Sequence, residues 1–359
     1  NGVRIGESAG TTGHFIQNGG TSHFVLNNVY VGQGGTGVFT LNNNGTATVD
    51  KALVIGQAAS STGTVNLNGG TLEVGGTNGI AKGSGTATFN LGGGTIRVIG
   101  NDLTTSLGMT LLDETTSTID TNGLNATFTG VLYGEGGLTK IGSGKLTVTA
   151  ENTYTGETRV TGGTLSVSGS IASSSLTTVE GGGILAGTGI VGALDIADGG
   201  VLSPGNSPGT LTAADTTWSG GGIYVWELNS AIGSAGTNWD LLDVTDTLTI
   251  QSTLANPFIV QIHSLDSTGQ PGALEDFDPT QTYSWIIASA GNVAGFSSEA
   301  FSVNTSNFVN LPGSNRFTVT SDGTNIYLNY SVVVPEPATY GAIIALGLLT
   351  LAAARRRRM

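Results

Sequence analysis

The sequence predicts an all-β fold: a parallel β-helix, or β-solenoid, ending in a C-terminal β cap and followed by one C-terminal transmembrane helix. Three observations carry that prediction. Glycine supplies 59 of the 359 residues, and a glycine inside a helix costs about 1 kcal/mol relative to alanine, so long helices are disfavoured. Short alternating segments recur about every 25 residues through the first hundred positions. A final apolar run is closed by consecutive arginines.

Composition narrows the class. The apolar fraction is 38% and mean hydropathy +0.14, against 10% charged residues, so this is no charge-rich disordered chain. Net charge is −13, and four of the 12 basic residues are Arg355, Arg356, Arg357 and Arg358. The remaining 8 basic residues stand against 25 acidic ones, a balance that repels nucleic acid rather than binding it. The absence of Cys removes disulfides, thiolate metal sites and thiol nucleophiles together. It does not argue against export, because stacked rungs bury a continuous core without covalent staples. The chain opens Asn-Gly-Val, without Met or a leader, and reads as a fragment whose start is missing.

The first unit, residues 1–100, is read from self-similarity. Ile5-Gly6-Glu7, Val31-Gly32-Gln33, Ile55-Gly56-Gln57 and Ile80-Ala81-Lys82 recur at steps of 26, 24 and 25 residues. After each comes a turn rich in Ser, Thr and Gly, then an alternating segment. Those segments are Phe15-Ile16-Gln17-Asn18, Phe39-Thr40-Leu41-Asn42, Val65-Asn66-Leu67-Asn68 and Phe89-Asn90-Leu91-Gly92. A bend leads to a further strand: Thr46-Ala47-Thr48-Val49, Thr71-Leu72-Glu73-Val74 or Thr95-Ile96-Arg97-Val98. Alternation turns Phe39 and Leu41 to one side and Thr40 to the other. One rung cannot bury its apolar side, whereas stacked rungs present the same residues to each other at about 4.8 Å. Asn18, Asn42 and Asn68 fall at one point of the rung and predict a ladder of amide hydrogen bonds, broken by Gly92. Gln17 breaks the apolar column. Glu73 and Arg97 occupy equivalent outward positions and predict an ion pair across rungs, stabilising by roughly 0–1 kcal/mol.

The second unit, residues 101–215, opens with a stretch, 101–136, that reads as irregular. Beyond it stand Gly137-Leu138-Thr139-Lys140, Gly144-Lys145-Leu146-Thr147-Val148, Asn152-Thr153-Tyr154-Thr155-Gly156 and Gly162-Gly163-Thr164-Leu165. These pieces resemble the autotransporter-associated β-strand repeat, also called the passenger-associated transport repeat. The resemblance implies a right-handed parallel β-helix in a secreted passenger region. Taken alone, the residues agree, with Leu146 and Val148 facing inward between Thr147 and Thr149. The string Ser203-Pro204-Gly205-Asn206-Ser207-Pro208-Gly209 carries two prolines that exclude a central strand, so it reads as a corner.

The third unit, residues 216–331, holds all four tryptophans, Trp218, Trp226, Trp239 and Trp285. Strands are predicted at 223–228, 248–250, 258–262, 283–288 and 325–330. They read as further rungs and an aromatic β cap protecting the open end of the solenoid.

The fourth unit, residues 332–359, begins with Val334, Pro335, Glu336 and Pro337. An apolar run then opens at Ala338 and closes at Ala354, before Arg355, Arg356, Arg357 and Arg358. The run 338–354 is at the short end of what spans a bilayer as a helix. The prolines keep the preceding stretch extended, suited to an enzyme's cleft. The arginines hold the C-terminus in the cytoplasm and leave the body outside. This tail resembles the PEP-CTERM sorting signal, known also under the label of an ice-binding protein C-terminal domain. The resemblance implies an exosortase-type membrane protease as partner and cleavage near Pro-Glu-Pro. It implies a transient stay in the inner membrane before the cell surface or extracellular matrix. A permanent single-pass anchor is the alternative.

Little chemistry is legible. His14, His23 and His263 are the only histidines, and a zinc site needs several convergent ligands, which they do not supply. Asp240, Asp243 and Asp246 form the one notable carboxylate cluster. Alternation sets Asp240 and Asp243 on opposite faces, so turn capping is expected there rather than calcium. No catalytic residue, cofactor or metal is expected. The expectation is a non-enzymatic, exported structural or adhesive protein, associated with extracellular polysaccharide, as in a biofilm. One alternative is an ice- or carbohydrate-binding module, with Thr40, Thr46, Thr64 and Thr71 as candidates that form no strict column. Another is a β-helix polysaccharide lyase or hydrolase, which needs clustered carboxylates beside a basic residue.

Overall fold

The computed structural model describes residues 2–25, 27–310 and 317–332. Strand follows strand at short intervals, and the one helical element among the described residues is the short 3-10 turn Ser298–Ala300. The rungs stack in parallel. One sheet joins Val3–Ile5, Val29–Val31, Leu53–Ile55 and Ile80–Lys82. A six-stranded sheet joins Thr12–Gln17, Thr36–Asn42, Thr62–Asn68, Thr86–Leu91, Met109–Leu111 and Leu132–Gly134. A third begins with Thr21–Phe24, Thr46–Val49, Thr71–Thr77 and Thr95–Thr105 and takes in the remaining strands.

Register follows the apolar alternation. Phe15, Phe39, Val65 and Phe89 are successive partners, as are Gln17, Leu41, Leu67 and Leu91. Thr46, Thr71 and Thr95 align in the same way. Phe39, Leu41, Leu67, Leu72, Phe89 and Ile96 are fully buried, and each such side chain contributes about 1.5–3 kcal/mol on leaving water. Gln17 occupies the leucine position of the first rung and donates its amide nitrogen to the carbonyls of Gly20 and Thr46 at 2.7 and 3.1 Å. Because a rung touches only its neighbours, damage should stay local. Leu67→Ala is expected to destabilise the stack by about 2–5 kcal/mol. Hydrogen exchange should register the loss first in the strands flanking Thr62–Asn68, before the rest of the solenoid opens.

Three expectations are corrected. Ser203 and Pro204 belong to the strand Val201–Pro204, paired with neighbours on both sides, so the corner begins only after Pro204. Ile80 pairs with Leu53 rather than Ile55, and Lys82 takes the place opposite Ile55. A two-residue slip keeps the same side of a strand inward, so Ile80 is still fully buried. The stretch 101–136 is not irregular: Met109–Leu111, Thr116–Asp120, Ala126–Phe128 and Leu132–Gly134 continue the parallel ladders. Three of these four strands are only three residues long, too short for alternation to declare them.

Parallel pairing runs on to Phe301–Asn307. Asn325–Tyr330 then lies antiparallel to both Tyr283–Ala294 and Phe317–Ser321, so a hairpin ends the stack. Aromatic side chains fill this end: Trp218 stacks on Phe258 at 4.5 Å and Tyr283 on Trp285 at 5.2 Å. The membrane helix expected at 338–354 lies outside the described residues. Among the described residues no helix is long and apolar enough to cross a membrane.

Candidate functional site

Two segments bear on function, the repeat at 136–170 and the tail. Val334, Pro335, Glu336, Pro337, the run from Ala338 to Ala354, and Arg355, Arg356, Arg357 and Arg358 all lie outside the described residues. The repeat is described throughout, and three buried polar residues organise it.

The first is Lys140. In the strand Gly137–Ile141, alternation turns Leu138 and Lys140 inward together. Lys140 therefore enters an apolar column, between Ile119 of one neighbouring rung and Val160 of the other. It is fully buried. Its ammonium donates to the carbonyls of Ile141, Gly142 and Gly162 at 2.8, 2.8 and 2.9 Å and to the Thr121 hydroxyl at 3.0 Å. The side chain thus ties the corners of three rungs together. Burial lowers its pKa from 10.5 to about 8, and the Asp120 carboxylate opposes that shift. Between about pH 8 and 10.5 the unfolded chain holds this proton more tightly than the folded one, so Lys140 makes stability rise with pH across that window. The difference in unfolding free energy between wild type and Lys140→Met should accordingly widen as pH is raised through it, as followed by denaturant titration.

The second and third residues belong to the Asn-Thr-Tyr-Thr-Gly motif, in which Asn152 and Tyr154 point inward and Thr153 and Thr155 outward. The Asn152 side chain accepts from the Leu132 N–H at 2.9 Å and donates to the carbonyls of Ala150 and Ser170, both at 2.9 Å. It substitutes for backbone where the ladder bends. The Tyr154 hydroxyl meets the Thr158 hydroxyl at 2.7 Å, and Thr158 meets Ser174 at 2.9 Å. Ser174 in turn donates to the Gly156 carbonyl at 2.9 Å. Burial pushes the Tyr154 phenol up, against the Thr158 hydrogen bond. These chains of hydrogen bonds end on backbone and hold rung geometry.

The remaining candidates are scattered. His14 is exposed, His23 meets Asp50 at 2.7 Å, and His263 sits between the amides of Gln261 and Asn307. Asp240 is fully buried, whereas Asp243 is half-buried on the opposite face and Asp246 is exposed. The Asp240 carboxyl accepts from the N–H of Gly209 at 2.8 Å and of Glu227 at 3.0 Å, fixing the Ser-Pro-Gly corner to the next rung. Desolvation raises its pKa well above the usual carboxylate range, against those two donors. Glu73 and Arg97 do pair, at 3.7 Å, but Arg97 holds Asp120 more closely, at 2.8 Å. Asp120 lies within 101–136, where the short strands give alternation too little length to show which residues face each other across rungs. Among the described residues no group of three His, Asp or Glu side chains is placed to hold a metal ion.

The threonine candidates divide between two faces. Thr40 and Thr64 lie in adjacent columns of the six-stranded sheet. Thr46 and Thr71 share one outward column with Thr21, Thr95, Thr118 and Thr139, one rung apart each time.

A stack of parallel rungs around an apolar column defines the chain as a β-solenoid. Residues 138–167 match the passenger-associated-transport-repeat, the segment built around Lys140, Asn152 and Tyr154. Residues 333–358 match the PEP-CTERM protein-sorting motif. The chain carries both, which marks it as an exported, cell-surface or extracellular protein, and the sorting motif implies processing by exosortase-type membrane machinery. An extracellular serine protease of Serratia marcescens is 47% identical over 80 residues, which make up 22% of this chain and 8% of that protein. The chain therefore corresponds to a small part of that relative's length.

Proposed function

We propose that the chain is a non-catalytic structural or adhesive element of the cell surface, delivered by its tail after a transient stay in the inner membrane and associated with extracellular polysaccharide. One observation carries the reading: the buried polar groups Lys140, Asn152 and Asp240 are each spent on holding one rung to the next, and Tyr154 is spent on the Thr158 hydroxyl, which meets Ser174 of the next rung. The clefts support it too. The one between Ser298–Ala300 and the hairpin has Glu299 as its sole ionisable lining residue, and the one near Tyr30 has Arg4 and Lys51 without a carboxylate. The word extracellular in the name of the Serratia marcescens relative agrees with export. Binding and hydrolysis assays against extracellular polysaccharides test the proposal. Binding without turnover is expected, and robust turnover abolished by one point mutation would defeat it.

A second reading, ice binding, draws on the outward column of six threonines. Absence of thermal hysteresis at high protein concentration would remove it.

A further inference from the structure

The six-stranded sheet differs from the rest of the surface in charge. None of its strands contains Asp, Glu, Lys or Arg, in a chain of net charge −13. On the third sheet, by contrast, the column His23, Thr48, Glu73, Arg97, Asp120 ends in three consecutive ionic side chains. The neutral face carries two ladders of amides and hydroxyls. In one, Asn90 donates to the Asn66 carbonyl at 2.8 Å and Asn66 to the Thr40 hydroxyl at 3.3 Å. In the other, Asn68 donates to Asn42 at 3.2 Å and Asn42 to Asn18 at 2.8 Å.

We infer that this face binds a neutral, extended polysaccharide chain lying along the solenoid axis. The inference rests on the polysaccharide reading above and deepens it by naming the face and the ligand's charge. A carboxamide has two N–H donors and a carbonyl with two lone pairs. Each ladder contact uses one donor of the donating amide, so its second N–H remains for a ligand. Sugar hydroxyls both donate and accept, which suits such a mixed array. The ladder bonds already hold the side chains in place, so little rotamer freedom is lost on binding. Each ladder spans three rungs spaced at about 4.8 Å, the spacing of hydrogen-bonded strands, and so offers a polar contact at successive steps along the axis. A polyanionic chain would find no counter-charge here and would meet the acidic body of the protein. An apolar peptide would find mostly hydroxyls and amides.

The test uses the full chain in mild detergent, with microcrystalline cellulose and a soluble neutral β-glucan as neutral probes and alginate as the anionic one. Asn66→Asp and Thr40→Glu each place a carboxylate in a ladder, and Thr127→Glu places one on the third sheet, outside the threonine column. Thermal melting of every variant confirms that the stack is intact, and Asn90→Asp replaces any ladder variant that fails to fold. The ladder variants should lose binding to the neutral probes by about tenfold, a difference of about 1.4 kcal/mol, while Thr127→Glu binds as wild type. Wild-type binding that the ladder variants retain would overturn the assignment of this face and leave the polysaccharide reading standing. Binding to alginate alone would overturn the neutral ligand. Binding to none of the three would remove the polysaccharide reading and the inference with it.

Discussion

Lys140→Met should lower the stability of the solenoid by about 2–4 kcal/mol, because it leaves buried acceptors without their donor. Methionine keeps most of the apolar stem, so the column between Ile119 and Val160 remains filled. What disappears is the ammonium that the carbonyls of Gly142 and Gly162 accept from. The carbonyl of Ile141 loses less, since the N–H and hydroxyl of Thr121 also reach it, both at 3.1 Å. Replacing a buried polar group together with its partners is often harmless, but here the partners are backbone and stay behind. Urea titration of wild type and variant, followed by circular dichroism, reads the difference. A variant as stable as wild type would mean that the three-carbonyl cage does not hold the rungs.

Gly144→Ala acts in the same repeat by another route and should be of comparable size, about 3 kcal/mol or more, through overpacking against backbone. A Cβ built on Gly144 would sit 1.6 Å from the carbonyl oxygen of Leu124 on the rung beneath. That neighbour is main chain and cannot rotate away as a flexible side chain would. The rung must shift, and the pairing of Lys145–Val148 with Ala126–Phe128 and Gly163–Val167 shifts with it. Loss of soluble, folded protein or a large drop in melting temperature is the expected result, whereas Gly76→Ala, with open space around its Cβ, tests the cost of the backbone conformation alone.

The early rungs were legible because their strands are long enough for period two to show. Seven residues, as in Thr36–Asn42 or Thr62–Asn68, display three inward positions each, a glycine followed by two apolar side chains, Phe39 and Leu41 or Val65 and Leu67. The slip at Ile80 was invisible for the same reason, since both registers keep Ile80 inside. The aromatic residues of 216–331 do not reveal the antiparallel hairpin. Asp322-Gly323 between two alternating segments was a usable signal, because Asp-Gly suits a tight hairpin turn, and Gly323 does adopt a positive φ of 98°.

Within the transport repeat, sequence reading found the motif but not what its polar members do. Lys140 shares parity with Leu138, which would have placed it inside. Charge argues the other way, since lysine is almost never fully buried without partners. Its partners are carbonyls at three corners, and residue types alone do not reveal where carbonyls point. The same holds for Asn152, whose contacts cross rungs 18 to 20 residues apart in sequence, and for Tyr154, which reaches the next rung only through the hydroxyl of Thr158.

The proposed delivery of this solenoid to the surface requires that its tail be removed. Mass spectrometry of the C-terminus of protein recovered from the cell surface tests that directly. A mature end near Pro335, with residues 338–359 gone, is the predicted result. A surface protein still ending in Arg355, Arg356, Arg357, Arg358 and Met359 would contradict sorting and leave a permanent anchor in its place.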